Sequence, residues 1–258
     1  MASHTVKTTA ASLSDEVVAA YRQDGFVHLP GVVAQEDLPR FRQAALGARE
    51  SVVDYMGGSQ IFAQLLQVWK TNDDLRALTF DQNVAEIAVR LAGVPLRLWH
   101  DQELIKAPHN GAATEFHQDE PYWPHAHSRH ALSAWIALVD VPVERGAMSF
   151  IPGSQHSHRG LRPHNLADVE DFFLEAPHLR WHPRVTIPLR AGDCTFHNSY
   201  TAHTANSNST DEPRVAHVTI YVDADLTYTG APHVCTDGLS LVVGDTLPDD
   251  EFPRLPRG

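Results

Sequence analysis

The chain has 258 residues, of which 43% are hydrophobic, and a formal net charge of −12. That length can bury a sizeable core as one large domain or two small ones, and the negative charge argues against a nucleic-acid or anionic-membrane partner. No run of about eighteen apolar residues marks a membrane-spanning helix, and residues 1–7 lack an apolar core of signal-peptide length. Cys194 and Cys235 lie too far apart for a Cys-x-x-Cys zinc site and are too few for a disulfide framework, so a reduced, cytoplasmic protein is expected.

Residues 1–11 read as a frayed polar arm. Ser12 or Ser14 caps a helix through about residue 23, with Val17, Val18 and Tyr21 on its apolar face, until Asp24-Gly25 breaks it. A short strand over 26–29 stops at Pro30-Gly31. Helical spacing of Leu38, Phe41, Ala45 and Ala48 predicts a second helix over 35–54, which Gly57-Gly58-Ser59 ends. Ile61, Leu65, Leu66 and Val68 continue a helical pattern to about residue 70, and 84–91 form a further helix closed by Gly93.

From Pro95 short runs rich in β-branched and aromatic residues alternate with Gly, Pro and Asn breaks. Strands are predicted over 96–100, 102–106, 114–119, 132–141, 147–151, 185–189, 194–197 and 215–222. Eight or so such strands suit a double-sheet jelly roll of cupin type, with the earlier helices on its outer sheet. The stretch 160–181 reads as a charged, partly helical insertion, and the tail after Tyr228 as irregular and acidic.

Chemistry concentrates first in His117-Gln118-Asp119, followed by Pro121-Tyr122-Trp123. On a strand, residues two apart share a face, so His117 and Asp119 would present an imidazole and a carboxylate side by side. That is two-thirds of the facial triad that holds non-haem Fe(II) with open coordination positions. The chain carries 17 histidines, so the pair alone is a weak signal. A third ligand late in the barrel has three candidates, His197, His203 and His217. Arg214 opens the last long strand, and its planar fork suits a carboxylate.

Taken in order, these residues resemble the phytanoyl-CoA dioxygenase family of Fe(II)- and 2-oxoglutarate-dependent oxygenases. The resemblance is carried by His117-Gln118-Asp119, Trp135, the Gly146 to His156 stretch with Pro152-Gly153-Ser154, Gly192-Asp193, His203, Asn208 and Arg214. It covers residues 14–223. It implies a mainly β double-stranded β-helix with flanking helices, in a single domain over 1–258, with a helical part over 12–93 and a jelly-roll core over 95–223. It further implies iron held by His117, Asp119 and His203, and the distal carboxylate of 2-oxoglutarate on Arg214. Trp135 and Gln102 match positions beside the co-substrate. The family often has a serine two residues past the distal histidine, where this chain has Ala205, and Thr204 is the nearest hydroxyl.

Three ligands on one face leave positions for the keto acid and O2, so the resemblance implies oxidative decarboxylation to succinate and CO2 coupled to oxidation of a substrate C–H bond. The carboxylate at Asp119 argues against halogenation. A small-molecule substrate is expected, with hydroxylation, desaturation, ring closure or epimerisation in secondary metabolism as the outcome. Tyr122, Trp123, His125, Phe150, Phe172, Phe173 and Trp181 are candidate pocket residues. Two alternatives are a cupin-type metalloenzyme that does not use 2-oxoglutarate and a non-catalytic jelly-roll binding module; Arg214 separates the first of these from a keto-acid enzyme, and metal content separates the second.

Overall fold

Ser14 starts the first helix, α1 (Asp15–Asp24), by accepting the Val17 N–H, and Gly25 ends it at φ +85°. In this computed structural model, which describes residues 7–48, 62–157, 162–163, 165–168 and 170–255, Gly25 does more than stop a helix. A Cβ there would meet Gln155 Oε1 and the Thr201 hydroxyl at 2.3 Å, so only glycine permits this close approach. Its carbonyl accepts the Asn198 N–H and the Thr201 hydroxyl, which ties the end of α1 to the chain entering the site.

Next along the chain come β1 (Phe26–Leu29), α2 (Leu38–Ala48), β2 (Ala63–Leu66), α3 (Asp73–Thr79) and α4 (Gln82–Ala92). The second helix begins later than expected, and its expected end, with the Gly57-Gly58-Ser59 stop, lies outside the described residues. The helical pattern expected over 61–70 is corrected: Ala63–Leu66 pair with the strand β3 (Leu96–Lys106), and only Val68–Lys70 turn, as a 3₁₀ helix. Leu65 and Leu66 satisfy either period, and the open edge of β3 decides for the strand. Helix α3 carries few apolar positions and is not legible in the sequence; Asn72 caps it and Leu75 and Leu78 anchor it.

The β elements continue as β3 (Leu96–Lys106), β4 (Thr114–His117), β5 (His125–Ala126), β6 (Leu132–Ala137), β7 (Met148–Phe150), β8 (Val185–Ile187), β9 (Cys194–Asn198), β10 (His203–Ala205), β11 (Arg214–Asp223) and β12 (Thr227–Tyr228). Short helices α5 (Ser154–Ser157) and α6 (Asp171–Glu175) lie between β7 and β8. Among the described residues a major sheet runs β1-β9-β6-β11-β3-β2, a minor sheet β4-β10-β7-β8, and β12 pairs with β5. This is the expected jelly roll of two antiparallel sheets with flanking helices. The runs 96–100 and 102–106 prove to be one strand, whose ladder with β11 shifts register between Ile220 and Tyr221, opposite Trp99.

Helix α2 packs against β11 and α4 against β6, so helices cover the outer face of the major sheet. Alternation along β11 places His217 on that outer face. Its Nδ1 lies 2.7 Å from Glu103 Oε1, both side chains fully buried, with the Thr79 and Thr219 hydroxyls near Nε2. Burial lowers the His217 imidazole to about 4 and raises the Glu103 carboxyl. Of the three candidate third ligands, His217 is thus turned away from the cavity between the sheets. A second core joins Phe116, Ile151, Phe172, Phe173 and Ala202, which puts Phe172 and Phe173 of the insertion into packing. Among the described residues no helix is long and apolar enough to cross a membrane.

Candidate active site

His117 and His203 are cross-strand partners of β4 and β10, on the inner face of the minor sheet. Directly opposed residues of an antiparallel pair stand close enough for their side chains to touch, and the two imidazole centroids are 4.2 Å apart. Each ring is oriented from behind. His117 Nδ1 donates to the Glu115 carbonyl at 2.8 Å, and His203 Nδ1 donates to the Thr201 carbonyl at 3.0 Å. A carbonyl only accepts, so the proton sits on Nδ1 and each Nε2 keeps its lone pair for a cation.

Asp119 reaches the same point by a different route from the one expected. The strand stops at His117, and Asp119 has α-helical dihedrals (φ −75°, ψ −41°) at the head of a 3₁₀ turn over Glu120–Tyr122. Its backbone N–H donates to the Ser199 carbonyl at 2.9 Å, and Gln118 Nε2 donates to the Tyr200 carbonyl at 2.7 Å. These bonds hold the turn against the β9–β10 connection. Asp119 Oδ1 lies 3.7 Å from both His117 Nε2 and His203 Nε2. Donor atoms of His117, Asp119 and His203 all fall within 4.8 Å of one another.

Protonation suits ligation. Burial, and then the neighbouring His203, lower His117 to about 4; burial likewise lowers His203. Burial alone would push the Asp119 carboxyl up, but the histidines around it, His203 foremost, hold it well below the usual carboxylate range. Two neutral imidazoles and one carboxylate are the donor set of a non-haem iron site. The remaining candidate third ligand, His197, faces the other carboxylate oxygen: its Nε2 is 3.4 Å from Asp119 Oδ2, which also accepts the Ser133 hydroxyl at 3.1 Å. His197 and Ser133 thus support Asp119 from the major sheet, a pair that residue type and spacing give no means of finding.

The three donors open onto a cavity of about 330 Å³ between the sheets. At one end stands Arg214, 2% exposed, with its guanidinium 5.4 Å from the Trp135 ring centroid. Its only hydrogen bond among the described residues runs from Nη1 to the Gly146 carbonyl at 3.3 Å, and Nε is buried without a partner. Gly146 has φ +88°, and a Cβ there would crowd Asn206 O and Arg214 Cδ. Burial lowers the guanidinium to about 10 and, with Arg214 beside it, the Lys106 amine to about 6. Lys106 donates to the carbonyls of Ala112 and Asn206, and Arg214 has no carboxylate partner among the described ion pairs. A buried, half-satisfied guanidinium at a cavity end is built to receive an anion.

Trp135 and Gln102 line the same cavity, and Gln102 Oε1 accepts from Gln64 Nε2 at 2.6 Å. Thr204 does not join them: it alternates away from His203, and its hydroxyl donates to the Thr114 carbonyl. Ala205 faces in, and its cross-strand partner Thr114 lines the cavity beside it. Tyr122 and Trp123 line the cavity as expected. Other expected pocket residues do not: Phe150 stacks on Phe26, Phe172 and Phe173 are packed in the second core, His125 is buried against Trp99, and Trp181 is 88% exposed. His100, from β3, and His233, from the tail, also line the cavity, and no motif in the sequence marks them.

A cupin-type jelly roll with two imidazoles and a carboxylate on one inner face, and a buried arginine deeper in, is the architecture of an iron- and keto-acid-dependent oxygenase. The chain belongs to the phytanoyl-CoA dioxygenase (PhyH) family, whose profile matches residues 21–216. Among solved structures it is similar to the non-haem alpha ketoglutarate dependent carbocyclase SnoK from nogalamycin biosynthesis, at 38% identity and TM-score 0.86, covering 98% of this chain and 100% of that one. The epimerase SnoN, solved in complex with Fe3+, alpha ketoglutarate and nogalamycin RO, is 36% identical with TM-score 0.82, covering 94% and 98%. L-Proline trans-4-hydroxylase of Streptomyces griseoviridis is 32% identical over 158 residues, which span 58% of each chain. The chain is thus a non-haem Fe(II)- and 2-oxoglutarate-dependent oxygenase.

Proposed function

We propose that this chain carries out an oxidative tailoring step on a small-molecule natural product, with His117, Asp119 and His203 as the iron ligands and Arg214 as the anchor of 2-oxoglutarate. The observation that carries the assignment is the convergence of two imidazole Nε2 atoms and one ionised carboxylate on a cavity whose far end holds a guanidinium without a counter-ion among the described residues. The likeness to a carbocyclase and an epimerase of one biosynthetic pathway supports ring closure or epimerisation as the outcome, and the likeness to a proline hydroxylase supports hydroxylation.

Iron bound here would supply O2 activation coupled to decarboxylation of the keto acid. The chain's own residues do the rest. Nδ1 bonds to the Glu115 and Thr201 carbonyls fix both ligand rings, and His197 and Ser133 hold the outer oxygen of Asp119, leaving Oδ1 for the metal. Arg214 fixes the distal carboxylate over Trp135, and the Thr114 hydroxyl stands in for the family serine missing at Ala205. The apolar walls around Leu104, Met148 and Ala205 keep bulk water from the keto acid.

The test is anaerobic addition of Fe(II) and 2-oxoglutarate, which should produce the weak visible charge-transfer band of a chelated keto acid. His117→Ala, Asp119→Ala and His203→Ala should each abolish it in folded protein, whereas His197→Ala should weaken iron binding without abolishing the band. In air, wild type should convert 2-oxoglutarate to succinate. A band lost in His197→Ala and kept in His203→Ala would reverse the ligand assignment.

A further inference from the structure

The substrate side of the same cavity carries a second pair of histidines, whose role rests on the oxygenase reading and extends it to the chemistry of the substrate. His100 and Lys106 belong to one inward row of β3, with Gln102 and Leu104 between them, so His100 stands roughly 20 Å along the strand from the Arg214 end. His233 comes over it from the irregular tail. The two rings stack at 5.9 Å with an interplanar angle of 27°, and Trp99 backs His233 at 5.0 Å.

Hydrogen bonds assign opposite roles to the two rings. His100 Nδ1 lies 3.2 Å from the Asp101 carbonyl, which only accepts, so Nδ1 carries the proton and Nε2 is an acceptor. His233 Nδ1 accepts the Cys235 N–H at 3.1 Å, so its proton sits on Nε2, a donor. Neither Nε2 has a hydrogen-bond partner among the described residues, and both residues line the cavity. Burial keeps both rings uncharged, lowering His100 to about 3 and His233 to about 4.

With the ring centroids 5.9 Å apart on one wall of the cavity, an acceptor on His100 and a donor on His233 complement a hydroxyl group, which offers both functions. An ether or a carboxylate leaves His100 unsatisfied, and an ammonium leaves His233 unsatisfied. The donor atoms of His100, His233 and Cys235 also lie within 4.8 Å of one another, a spacing open to a soft cation. Two features oppose a cation. The His233 Nδ1 lone pair is taken by the Cys235 N–H, and burial raises the Cys235 thiol to about 12, far from thiolate. We infer that His100 and His233 form a hydroxyl-reading subsite: His233 Nε2–H donates to, and His100 Nε2 accepts from, one hydroxyl of a substrate whose apolar part lies against Trp123, Leu66 and Val234.

Three probes on a common two-ring carbon frame test this on protein loaded with Fe(II) and 2-oxoglutarate under argon: 2-naphthol, 2-tetralol and 2-methoxynaphthalene. Calorimetry should show at least one hydroxylated probe binding about tenfold tighter than the ether, the worth of one neutral hydrogen bond with its partner left unsatisfied otherwise. The tighter of the two identifies a phenolic or an alcoholic hydroxyl as the natural group. His100→Leu and His233→Phe should each bring the hydroxylated probe down to the ether's affinity while the charge-transfer band persists. Equal affinity of wild type for all three probes, or no binding of any, overturns the subsite with the band still present. Absence of the band in wild type instead overturns the oxygenase reading. Binding of a second equivalent of Zn2+ that Cys235→Ser removes would make the cluster a metal site and refute the hydroxyl assignment.

Discussion

Replacing Arg214 separates a co-substrate anchor from a structural arginine, because the two roles predict opposite signs. The guanidinium is buried with a single carbonyl partner, and lowering its pKa from 12.5 to about 10 corresponds to a penalty of roughly 3 kcal/mol for holding the charge out of water. Arg214→Met removes that penalty and gives up one bond to Gly146 O, about 1 kcal/mol. Apo protein should therefore be unchanged or more stable by about 2 kcal/mol. Two charge-assisted bonds to a carboxylate are worth about 1.5–3 kcal/mol each, so 2-oxoglutarate should bind roughly a hundredfold or more weakly. Arg214→Lys should recover only part, since an ammonium lacks the planar fork. Iron affinity without keto acid should stay near wild type. Denaturant melts of apo protein and titration of 2-oxoglutarate into the ferrous protein read both quantities. A variant that loses stability yet keeps its keto-acid affinity would refute the assignment.

Thr114→Val should weaken 2-oxoglutarate by about three- to tenfold, the loss of one neutral hydrogen bond, and Ala205→Ser on that background should restore it from the facing strand; no change in either variant removes Thr114 from the co-substrate site. His100 predicts a pH dependence of stability. Its folded pKa of about 3 lies below the unfolded value of about 6.5, so between the two the unfolded chain binds the extra proton and stability falls as pH falls. His100→Gln should make the slope of unfolding free energy shallower by about 1.4 kcal/mol per pH unit between about pH 6 and 4, measured by urea melts at stepped pH; equal slopes would mean that His100 is charged in the fold.

Two of the three proposed iron ligands are legible in the sequence because they share one short motif whose chemistry is local. His117 and Asp119 are two residues apart, although the shared strand face expected of them gives way to a strand end followed by a helical turn. The distal histidine is another matter. His197, His203 and His217 are equal in residue type, and what separates them is the sheet each belongs to. His203 lies on a three-residue strand of the minor sheet opposite His117, His197 on β9 of the major sheet, and His217 on the outer face of β11. Strands that short carry no periodicity to read. Thr114 is hidden for the same reason, since its nearness to Ala205 exists only as a cross-strand register.

The tail after Tyr228 shows how far an irregular segment can be determined by the core beneath it. Arg97, buried on β3, donates to the carbonyls of Ala224 and Leu247 and to Asp249, so a guanidinium inside the protein is satisfied mainly by tail atoms. Phe252 is fully buried and stacks on Trp99 at 5.1 Å, while Leu98 and Leu255 donate backbone bonds to the Pro253 and Leu96 carbonyls. Each of these contacts joins the tail to β3, the strand that also carries His100 and Gln102. Anchoring on both sides of Trp99 fixes the intervening chain, which brings His233 over His100 without any strand or helix to guide it. The end of the cavity lined by His100 and His233 is therefore specified by aromatic packing and one buried arginine, signals that hydropathy and motif spacing do not record, while the end proposed to hold the metal begins from one short motif, His117-Gln118-Asp119.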